Sequence, residues 1–232
     1  MTIDNQARPP ILDGEGTNVV FTTPREIDQS ASLVEGMMIT INAAFKEQSS
    51  RTKILDSHQR MVQGSIFEQQ LGDDPKTFCI IVSQPQKPYV AGTIAARRFP
   101  TSSLPIERAS LTPQGEQLST RAIFTRTDIP IQYVKSVFWE LKILAVHPSM
   151  QGQRLGKWLI DTVEDEIKRR TLDKDPNANE VIIVLTTVDQ HAAPIYLKRG
   201  YIIDGQQDYP AGTVNSEYGF TVLHMHKRYQ LP

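Results

Sequence analysis

The sequence predicts a layered domain of the α/β or α+β class. Short runs rich in β-branched and aromatic residues are bounded by turn residues, which is typical of strands. Other segments repeat apolar residues at helical spacing, and they fall between some of the strands. One junction between a strand and a helix, HPSMQGQRLGKWL from His147, carries two glycines. Strands that alternate in part with helices favour packed layers around one core.

In the first part of the chain the pattern predicts three strands and two helices. Asp28 can cap a first helix from Gln29 to Lys46, and a second helix follows from about Thr52 to Leu71. Both helices carry an apolar face at helical spacing. The strands are NVVFTTP, TFCIIVSQ and YVAGTIAARRF, and the prolines of PQKP lie in the turn between the last two.

The segment from residue 100 to residue 135 has no periodicity and contains four prolines. A long unstructured connection is unusual in a compact domain and is often functional, so this segment either faces a substrate or is a mobile insertion without a role. Regular structure is predicted to resume after it. The later elements are a strand (Val137–Val146), a helix (Arg154 to about Leu172), the strand EVIIVLTTV, the short helix HAAPIYLKRG, and the strands YIIDG and FTVLHMHKRY.

Length and composition limit the class of protein. The 232 residues are 39% hydrophobic and 22% charged, which fits a single globular domain over residues 17–232 behind a flexible N-terminal leader, residues 1–16. The net charge of -1, with no basic block, argues against a nucleic-acid partner. No apolar run approaches the length of a bilayer span, so no membrane association is expected. The acidic, proline-containing N-terminus resembles no targeting signal, which predicts a cytoplasmic location.

The chain has one cysteine, Cys79, in the apolar run TFCIIV. It cannot form an internal disulfide. Its strand-like setting favours a buried core thiol over a nucleophile.

The glycine-bearing turn before the helix at Arg154 has the features of an anion site. Exposed backbone N–H groups and the positive end of the helix dipole point in the same direction there. The turn is not a Walker loop, because no Gly-Lys-Ser/Thr follows in register, and its spacing GQRLG does not fit a dinucleotide fingerprint. The glycines alone would also suit a plain turn.

Two segments together resemble the GNAT acetyltransferase superfamily. Gln151-x-x-Arg154-x-Gly156 is similar to the Gln/Arg-x-x-Gly-x-Gly/Ala motif of that family, and it follows a long strand and opens a helix. Downstream, DQHAAPIYLKRGY is similar to the family pattern Asn-x-x-Ala-x-x-Leu-Tyr-x-x-x-Gly-Phe. The resemblance covers about Val137 to Tyr201. It implies a mixed, mostly antiparallel central sheet flanked by helices, with a splayed strand pair that holds coenzyme A.

The resemblance also implies a co-substrate and the residues that bind it. Acetyl-CoA is expected, with no metal, and its diphosphate would lie at the helix start. Two departures stand out: Arg154 replaces the first family glycine and either crowds the phosphate or adds charge, and Asp189 replaces the family asparagine and either caps the short helix or faces the ligand. The implied cofactor-binding residues are Leu144, Ala145, Val146, Gln151, Gly152, Gln153, Arg154, Leu155, Gly156, Lys157, Asp189 and Tyr196.

The chemistry calls for a base and an acid, because the amine must lose a proton and the departing thiolate gains one. Glu140, in the apolar strand before the motif, stands at an offset where some family members carry a base. Strand alternation places it on one face with Phe138 and Lys142, so a solvent-facing carboxylate is the alternative. Tyr196 matches the family tyrosine near the CoA sulfur and is the expected acid, with a packed amphipathic tyrosine as the alternative.

The predicted function is transfer of an acetyl group from acetyl-CoA directly to a primary amine of a small molecule. A protein or peptide N-acetyltransferase and a non-catalytic CoA-binding module are the alternatives. The sequence leaves homodimer formation open.

Overall fold

The computed structural model describes residues 11–12, 14, 16–54, 61, 67–72, 74–98, 108–111, 117–120, 135–188, 192–213 and 216–232. This part of the chain forms nine strands and five α-helices. In chain order they are β1 (Asn18–Thr22), α1 (Pro24–Asp28), α2 (Ala31–Thr52), α3 (Phe67–Leu71), β2 (Phe78–Ser83), β3 (Val90–Arg98), β4 (Arg108–Leu111), β5 (Gln117–Thr120), β6 (Ser136–Val146), α4 (Leu155–Lys174), β7 (Glu180–Val188), α5 (Ala193–Leu197), β8 (Ile202–Tyr209) and β9 (Phe220–Gln230).

Seven of these strands form one sheet in the order β1-β2-β3-β6-β7-β9-β8. The pairs β1–β2, β2–β3, β7–β9 and β8–β9 are antiparallel, whereas β6 and β7 run parallel. The parallel pair is joined through α4, because parallel neighbours need a long crossover. The predicted mixed, mostly antiparallel sheet flanked by helices is confirmed.

Within this fold the chain divides into two compact units. The first unit comprises residues 1–48, 59–98 and 141–169, and the second comprises residues 49–58, 99–140 and 170–232. Both β6 and α4 cross the division, β6 between Glu140 and Leu141 and α4 between Arg169 and Arg170.

In the first unit, α2 and α3 cover one face of β2 and β3. Their apolar side chains form one buried cluster with residues of that sheet face, among them Cys79, Ile81 and Ala95. Burial, and secondarily the negative charge of Asp28, raises the pKa of the Cys79 thiol to about 12. The prediction of a buried core thiol is therefore confirmed, because a thiol that stays protonated is a poor nucleophile.

The opposite face of β3 receives α4, and Gly92 sets how closely the helix approaches. A Cβ added at Gly92 would lie 3.0 Å from Leu155 Cδ2, 3.1 Å from the Ala145 carbonyl oxygen and 3.1 Å from Leu159 Cδ1. The helix therefore packs directly on the strand backbone at this position.

The first predicted helix differs from the observed one at its start. Thr23, rather than Asp28, opens α1 through a capping box with Glu26, and α2 begins separately at Ala31. The Asp28 carboxylate instead accepts the backbone N–H groups of Phe67 and Glu68 at 2.8 and 2.9 Å, so it caps α3. The predicted cap was wrong because the true partner lies 39 residues away in sequence.

The second predicted helix, Thr52–Leu71, is confirmed at six of its nine described positions, Thr52 and Phe67–Leu71, and is wrong at Lys53, Ile54 and Met61. Helix α2 ends at Thr52, Lys53 adopts a left-handed backbone with φ 56°, and α3 begins at Phe67. Met61 lies between them outside any helix, and its N–H and C=O are both bonded to the Asn42 side-chain amide at 2.8 Å. Those two backbone groups are thus satisfied by a side chain instead of by helix partners.

Two other predictions concern segments that are only partly described. Residues 100–135, predicted to lack regular structure, contain β4 and β5, which pair with each other in a separate two-stranded antiparallel sheet. In the predicted leader, residues 1–10 lie outside the described residues, whereas Leu12 is buried and its carbonyl accepts a 2.9 Å bond from Gln84. The leader and the single-domain boundary remain predictions.

The second unit contains the first half of β6 together with β7, β9 and β8. One sheet face of this unit packs on the end of α4, where Trp139 Nε1–H donates to Thr171 Oγ1 at 3.1 Å. The other face carries the side chains in register with Glu140, because partners across neighbouring strands lie on the same side of a sheet.

We predict that Gly92→Ala lowers the free energy of unfolding by about 1–3 kcal/mol, because the new methyl group overpacks the contact between β3 and α4. Gly36→Ala is the matched control. Gly36 lies inside α2, its added Cβ would meet neighbours at an ordinary 3.6 Å, and alanine there should stabilise the protein by about 0.5–1 kcal/mol. Denaturant melts of both variants measure the two changes, and a Gly92 variant as stable as the parent would contradict the close approach.

Candidate active site

The junction between β6 and α4 is a tight turn with two left-handed residues. After Val146 the chain makes a 3₁₀ turn over Pro148–Met150 and then enters α4 at Leu155. Gly152 has φ 79° and Arg154 has φ 63°. Left-handed residues next to right-handed ones turn successive N–H groups to the same side, which creates a concave surface suited to anions.

The start of α4 adds N–H groups to this surface. The first helical bond runs from the Trp158 N–H to the Arg154 carbonyl at 3.0 Å. The N–H groups of Leu155, Gly156 and Lys157 therefore precede the first intrahelical bond and have no carbonyl partner within the helix. They lie at the positive end of a helix of 20 residues, where negative charge is favoured.

The two motif glycines serve different purposes. Gly152 has open space where a Cβ would lie, with nothing within 4 Å, so it is required by its left-handed backbone rather than by crowding. Gly156 lies against β6, since its Cβ would meet Val146 Cγ2 at 3.6 Å. Open space at Gly152 and a close helix at Gly156 fit a turn that receives a diphosphate.

Two glutamines of the turn bond to the turn itself. The Gln151 side-chain amide donates to the Val146 carbonyl at 3.3 Å, and Gln153 Nε2 lies 3.9 Å from Met150 Sδ. The first contact holds the turn against the end of β6, and the second joins it to the 3₁₀ turn.

A cluster of Tyr89, His147 and Ser149 beside this turn was not identified from the sequence. The Tyr89 and His147 rings stack with centroids 3.8 Å apart, and Ser149 Oγ lies 2.8 Å from His147 Nδ1 and 3.0 Å from Tyr89 Oη. Desolvation lowers the pKa of His147, so the ring is neutral at pH 7. The only sequence signal was a histidine before the proline that ends the strand.

Strand β6 itself contains a strained residue. Ile143 has φ 52°, a left-handed conformation that is a clear outlier for a β-branched residue. Ile143 packs against the buried cluster that contains Ala145, whereas Val146 faces Gly156, so the strand is locally irregular just before Leu144. The ladder to β7 ends three residues earlier, at the Glu140–Val184 pair.

Glu140 is partly exposed, and its place in the ladder puts it on the sheet face opposite Trp139. Lys142, two residues on, reaches the Gln70 carbonyl in the first unit at 3.5 Å. Glu140 is therefore not wholly buried, although its neighbours along β6, Trp139 and Leu141, are.

Tyr196 lies in the short helix α5 and is 5% exposed. Its ring meets that of Tyr201 edge to face, with centroids 5.4 Å apart and planes at 72°. The residue is therefore packed, as its alternative interpretation expects, and it keeps a hydroxyl that phenylalanine would lack. Asp189 lies outside the described residues.

The first unit thus contains one group of the predicted residues and the second unit another. Leu144, Ala145 and Val146 end β6, and Gln151 to Lys157 form the turn and helix start, all within the first unit. Glu140 and Tyr196 belong to the second unit. Their assigned roles remain predictions.

Within the described residues, no helix is both long and apolar enough to cross a bilayer. Within the same residues, no three His, Cys, Asp or Glu side chains come together in a way that could hold a metal ion.

Comparison with known proteins agrees with the resemblance. Residues 120–203, less than half of the chain, match the family model described as an acetyltransferase (GNAT) domain. No curated protein matches the chain. The expected superfamily is supported by the family model and by the fold.

Two solved structures have a similar fold. The ribosomal-protein-S18-alanine N-acetyltransferase from Escherichia coli has a TM-score of 0.51 at 13% identity, covering 93% of this chain and 96% of its own. Escherichia coli ElaA has a TM-score of 0.50 at 12% identity, covering 91% of this chain and 99% of its own. At this identity the likeness shows a shared fold and not the substrate.

We predict that Arg154→Gly stabilises the ligand-free protein by about 1 kcal/mol, because a left-handed backbone costs a non-glycine residue roughly 1–2 kcal/mol. Arg154 precedes the first helical residue, where glycine is well tolerated. Arg154→Lys, which keeps the strain, should melt like the parent. A lower unfolding free energy for the glycine variant would show that the arginine side chain stabilises the fold by more than its backbone costs.

Proposed function

We propose that this chain transfers the acetyl group of acetyl-CoA directly to a primary amine of a small molecule. The observation that carries the proposal is the strand–turn–helix junction of the first unit, where the N–H groups of Leu155, Gly156 and Lys157 face an open turn. The family match over residues 120–203 includes this junction. When bound, acetyl-CoA supplies the activated acetyl group.

In this proposal the first unit holds the diphosphate. The backbone N–H groups from Gly152 to Lys157 bind it, and the Arg154 guanidinium adds charge. The contact between the Arg154 side chain and the diphosphate would account for a non-glycine residue in a left-handed conformation, because the contact offsets the backbone strain. The end of β6, Leu144 to Val146, offers its backbone to the pantetheine arm.

The proton chemistry is assigned to Glu140 and Tyr196. Glu140, partly exposed on its sheet face, accepts a proton from the amine. Tyr196 donates its hydroxyl proton to the leaving sulfur, and its edge contact with Tyr201 fixes the ring in one orientation.

The class of acceptor separates the two catalytic alternatives. One structure of similar fold is named for a ribosomal-protein alanine, so an amino-terminal peptide is the rival to a small amine. Thiol release from acetyl-CoA is measured with benzylamine, spermidine and an Ala-Ala-Ala peptide. Faster turnover of the peptide would replace the small-molecule assignment, and binding without any turnover would leave a CoA-binding module.

We predict that acetyl-CoA raises the apparent stability of the parent by about 2.7 kcal/mol at one hundred times its dissociation constant. Arg154→Gly should weaken acetyl-CoA binding roughly five- to thirtyfold, because one partly exposed charge-assisted contact is lost. The loss should shrink as salt rises. Thermal melts and calorimetry at low and high salt measure these effects. No melting shift at millimolar acetyl-CoA would refute the proposed function.

We predict that Tyr196→Phe lowers turnover by roughly ten- to a thousandfold with little change in acetyl-CoA affinity, as expected for loss of one proton donor. Tyr201→Phe is the matched control, since Tyr201 belongs to the same buried edge-to-face pair. Steady-state kinetics and calorimetry compare the two variants. Equal turnover of the parent and Tyr196→Phe, with chemistry rate-limiting, would remove Tyr196 from the acid role.

A further inference from the structure

One row of side chains crosses the sheet of the second unit at the last paired position of β6. Glu140 of β6 pairs with Val184 of β7, and Val184 pairs with His226 of β9. Directly paired residues point to the same side of a sheet, so the three side chains share one face. With strands about 4.8 Å apart, the α-carbons of Glu140 and His226 are about 10 Å apart across Val184.

On β6 and β7 this face changes from buried to partly exposed at the same row, since Phe138 and Ile182 are buried and Glu140 and Val184 are partly exposed. On β9, His226 is partly exposed, and it lies between the exposed Arg228 of the row before and the buried His224 of the row after. Two residues further along β7 on the same face, Thr186 is exposed. The row therefore has a carboxylate at one end, an imidazole at the other and an aliphatic floor that a small molecule can reach.

His226 is held in a defined tautomer. Its Nδ1 lies 2.5 Å from Asp204 Oδ1, and its Nε2 lies 3.4 Å from Arg228 Nε. The guanidinium N–H can only donate, so Nε2 is the acceptor and carries the lone pair. The ring proton then sits on Nδ1 and is donated to Asp204. Both neighbours therefore require the same tautomer, with the basic nitrogen at Nε2.

Asp204 reaches the ring because β8 is irregular at that point. The β8–β9 register shifts between Ile203 and Gly205, and Asp204 is the extra residue. Such bulges re-aim a side chain. The pair is not needed to join the two strands, since the ladder continues from Gly205 to Tyr209 and the hairpin carries another side-chain bond, Thr221 Oγ1 to Asp208 Oδ1 at 2.6 Å.

We propose that His226, oriented by Asp204, is a second proton acceptor for the transferred amine and a catalytic residue of this chain. The inference rests on the proposed function. Acetylation of an ammonium ion releases two protons from one nitrogen, so a second base has a role beside Glu140. With the nitrogen over Val184, both ends of the row can reach it.

The step balances as follows. The ammonium group first displaces the 3.4 Å hydrogen bond that Arg228 donates to His226 Nε2. His226 Nε2 then takes one proton from the ammonium group and becomes imidazolium, while Nδ1–H remains bonded to Asp204. The nitrogen–carbon bond to the acetyl group forms, the carbon–sulfur bond breaks, and Glu140 takes the second amine proton. The sulfur takes a proton from Tyr196. Release of the protons held by His226 and Glu140, with return of one to Tyr196, leaves amide, free thiol and one proton in solution.

The charged groups around His226 favour a cationic acceptor. Asp204 faces it from β8, Glu140 stands at the other end of the row on β6, and Arg228 and His224 flank it on its own strand. Arg228 Nη1 lies 3.6 Å from the Glu180 carboxylate of β7, and this carboxylate partly offsets the positive charge of the guanidinium. Carboxylates at both ends attract an ammonium group before either base acts.

The test uses His226→Asn, whose side-chain amide can still donate to Asp204 as Nδ1 does but cannot take a proton. Thiol release from acetyl-CoA is followed from pH 6 to pH 9 with benzylamine, spermidine and the Ala-Ala-Ala peptide. We expect the variant's kcat to fall roughly ten- to a hundredfold at neutral pH. Its rate should then rise in proportion to the free-amine fraction, because only amine that is already neutral can react. Acetyl-CoA affinity should stay within about twofold of the parent.

Three further variants separate catalysis from structure. Asp204→Asn should also lower kcat, whereas Asp208→Asn, the matched carboxylate on the same hairpin, should not. Imidazole in the buffer should restore part of the activity of His226→Ala. A His226→Asn profile that overlays the parent, or a fall in melting temperature with an unchanged profile and no imidazole rescue, would overturn the role of His226 alone. A parent that binds acetyl-CoA but releases no thiol with any amine would overturn the proposed function and this inference together.

Discussion

The close packing of α4 on β3 at Gly92 is the constraint on which the candidate site depends. Leu155 and Leu159 pack so closely on the strand that a methyl group at Gly92 would lie only 3.0 and 3.1 Å from them. These two leucines are one helical turn apart, and their contacts with β3 fix the position of the start of α4. The packing of Gly156 against Val146 fixes the same end of the helix on β6. The unbonded N–H groups of a helix are useful to a ligand only if the helix end is held in place, and here apolar packing beneath the end provides that.

Backbone strain is concentrated around this junction. Ile143, Gly152 and Arg154 all have φ between 52° and 79°. Only glycine adopts such angles at little cost, so other interactions must offset the backbone strain at Ile143 and Arg154. For Ile143 that source is visible, because its side chain packs against the buried cluster of the first unit. For Arg154 no such burial exists, since the residue is exposed, and the proposed contact with a diphosphate is what would offset its strain.

Much of this architecture could be predicted from local patterns. The junction followed from an apolar β-rich run, two glycines and a helical repeat, all within about one supersecondary unit. The cap of α3 could not be predicted, because Asp28 and Phe67 are distant in sequence and the nearer helix start offered an equally plausible partner. The left-handed Ile143 contradicts the β preference of its residue type and is imposed by tertiary packing. The strands β4 and β5 form a separate two-stranded sheet, in a segment whose sequence shows no periodic pattern.

The row formed by Glu140, Val184 and His226 could not be predicted from the sequence for a different reason, because only the strand register brings these residues together. Residues 140, 184 and 226 are brought side by side by one parallel and one antiparallel ladder. Each ladder pairs residues that are distant in sequence, so no local pattern predicts the pairing. A slip of β9 by one position would bring Met225 or Lys227 opposite Val184 and turn His226 to the other face. Buried Leu223 and Met225 oppose that slip, since it would expose them. The apolar residues of β9 therefore hold the imidazole on its side of the sheet. The same packing that stabilises the strand thus decides which sheet face carries His226.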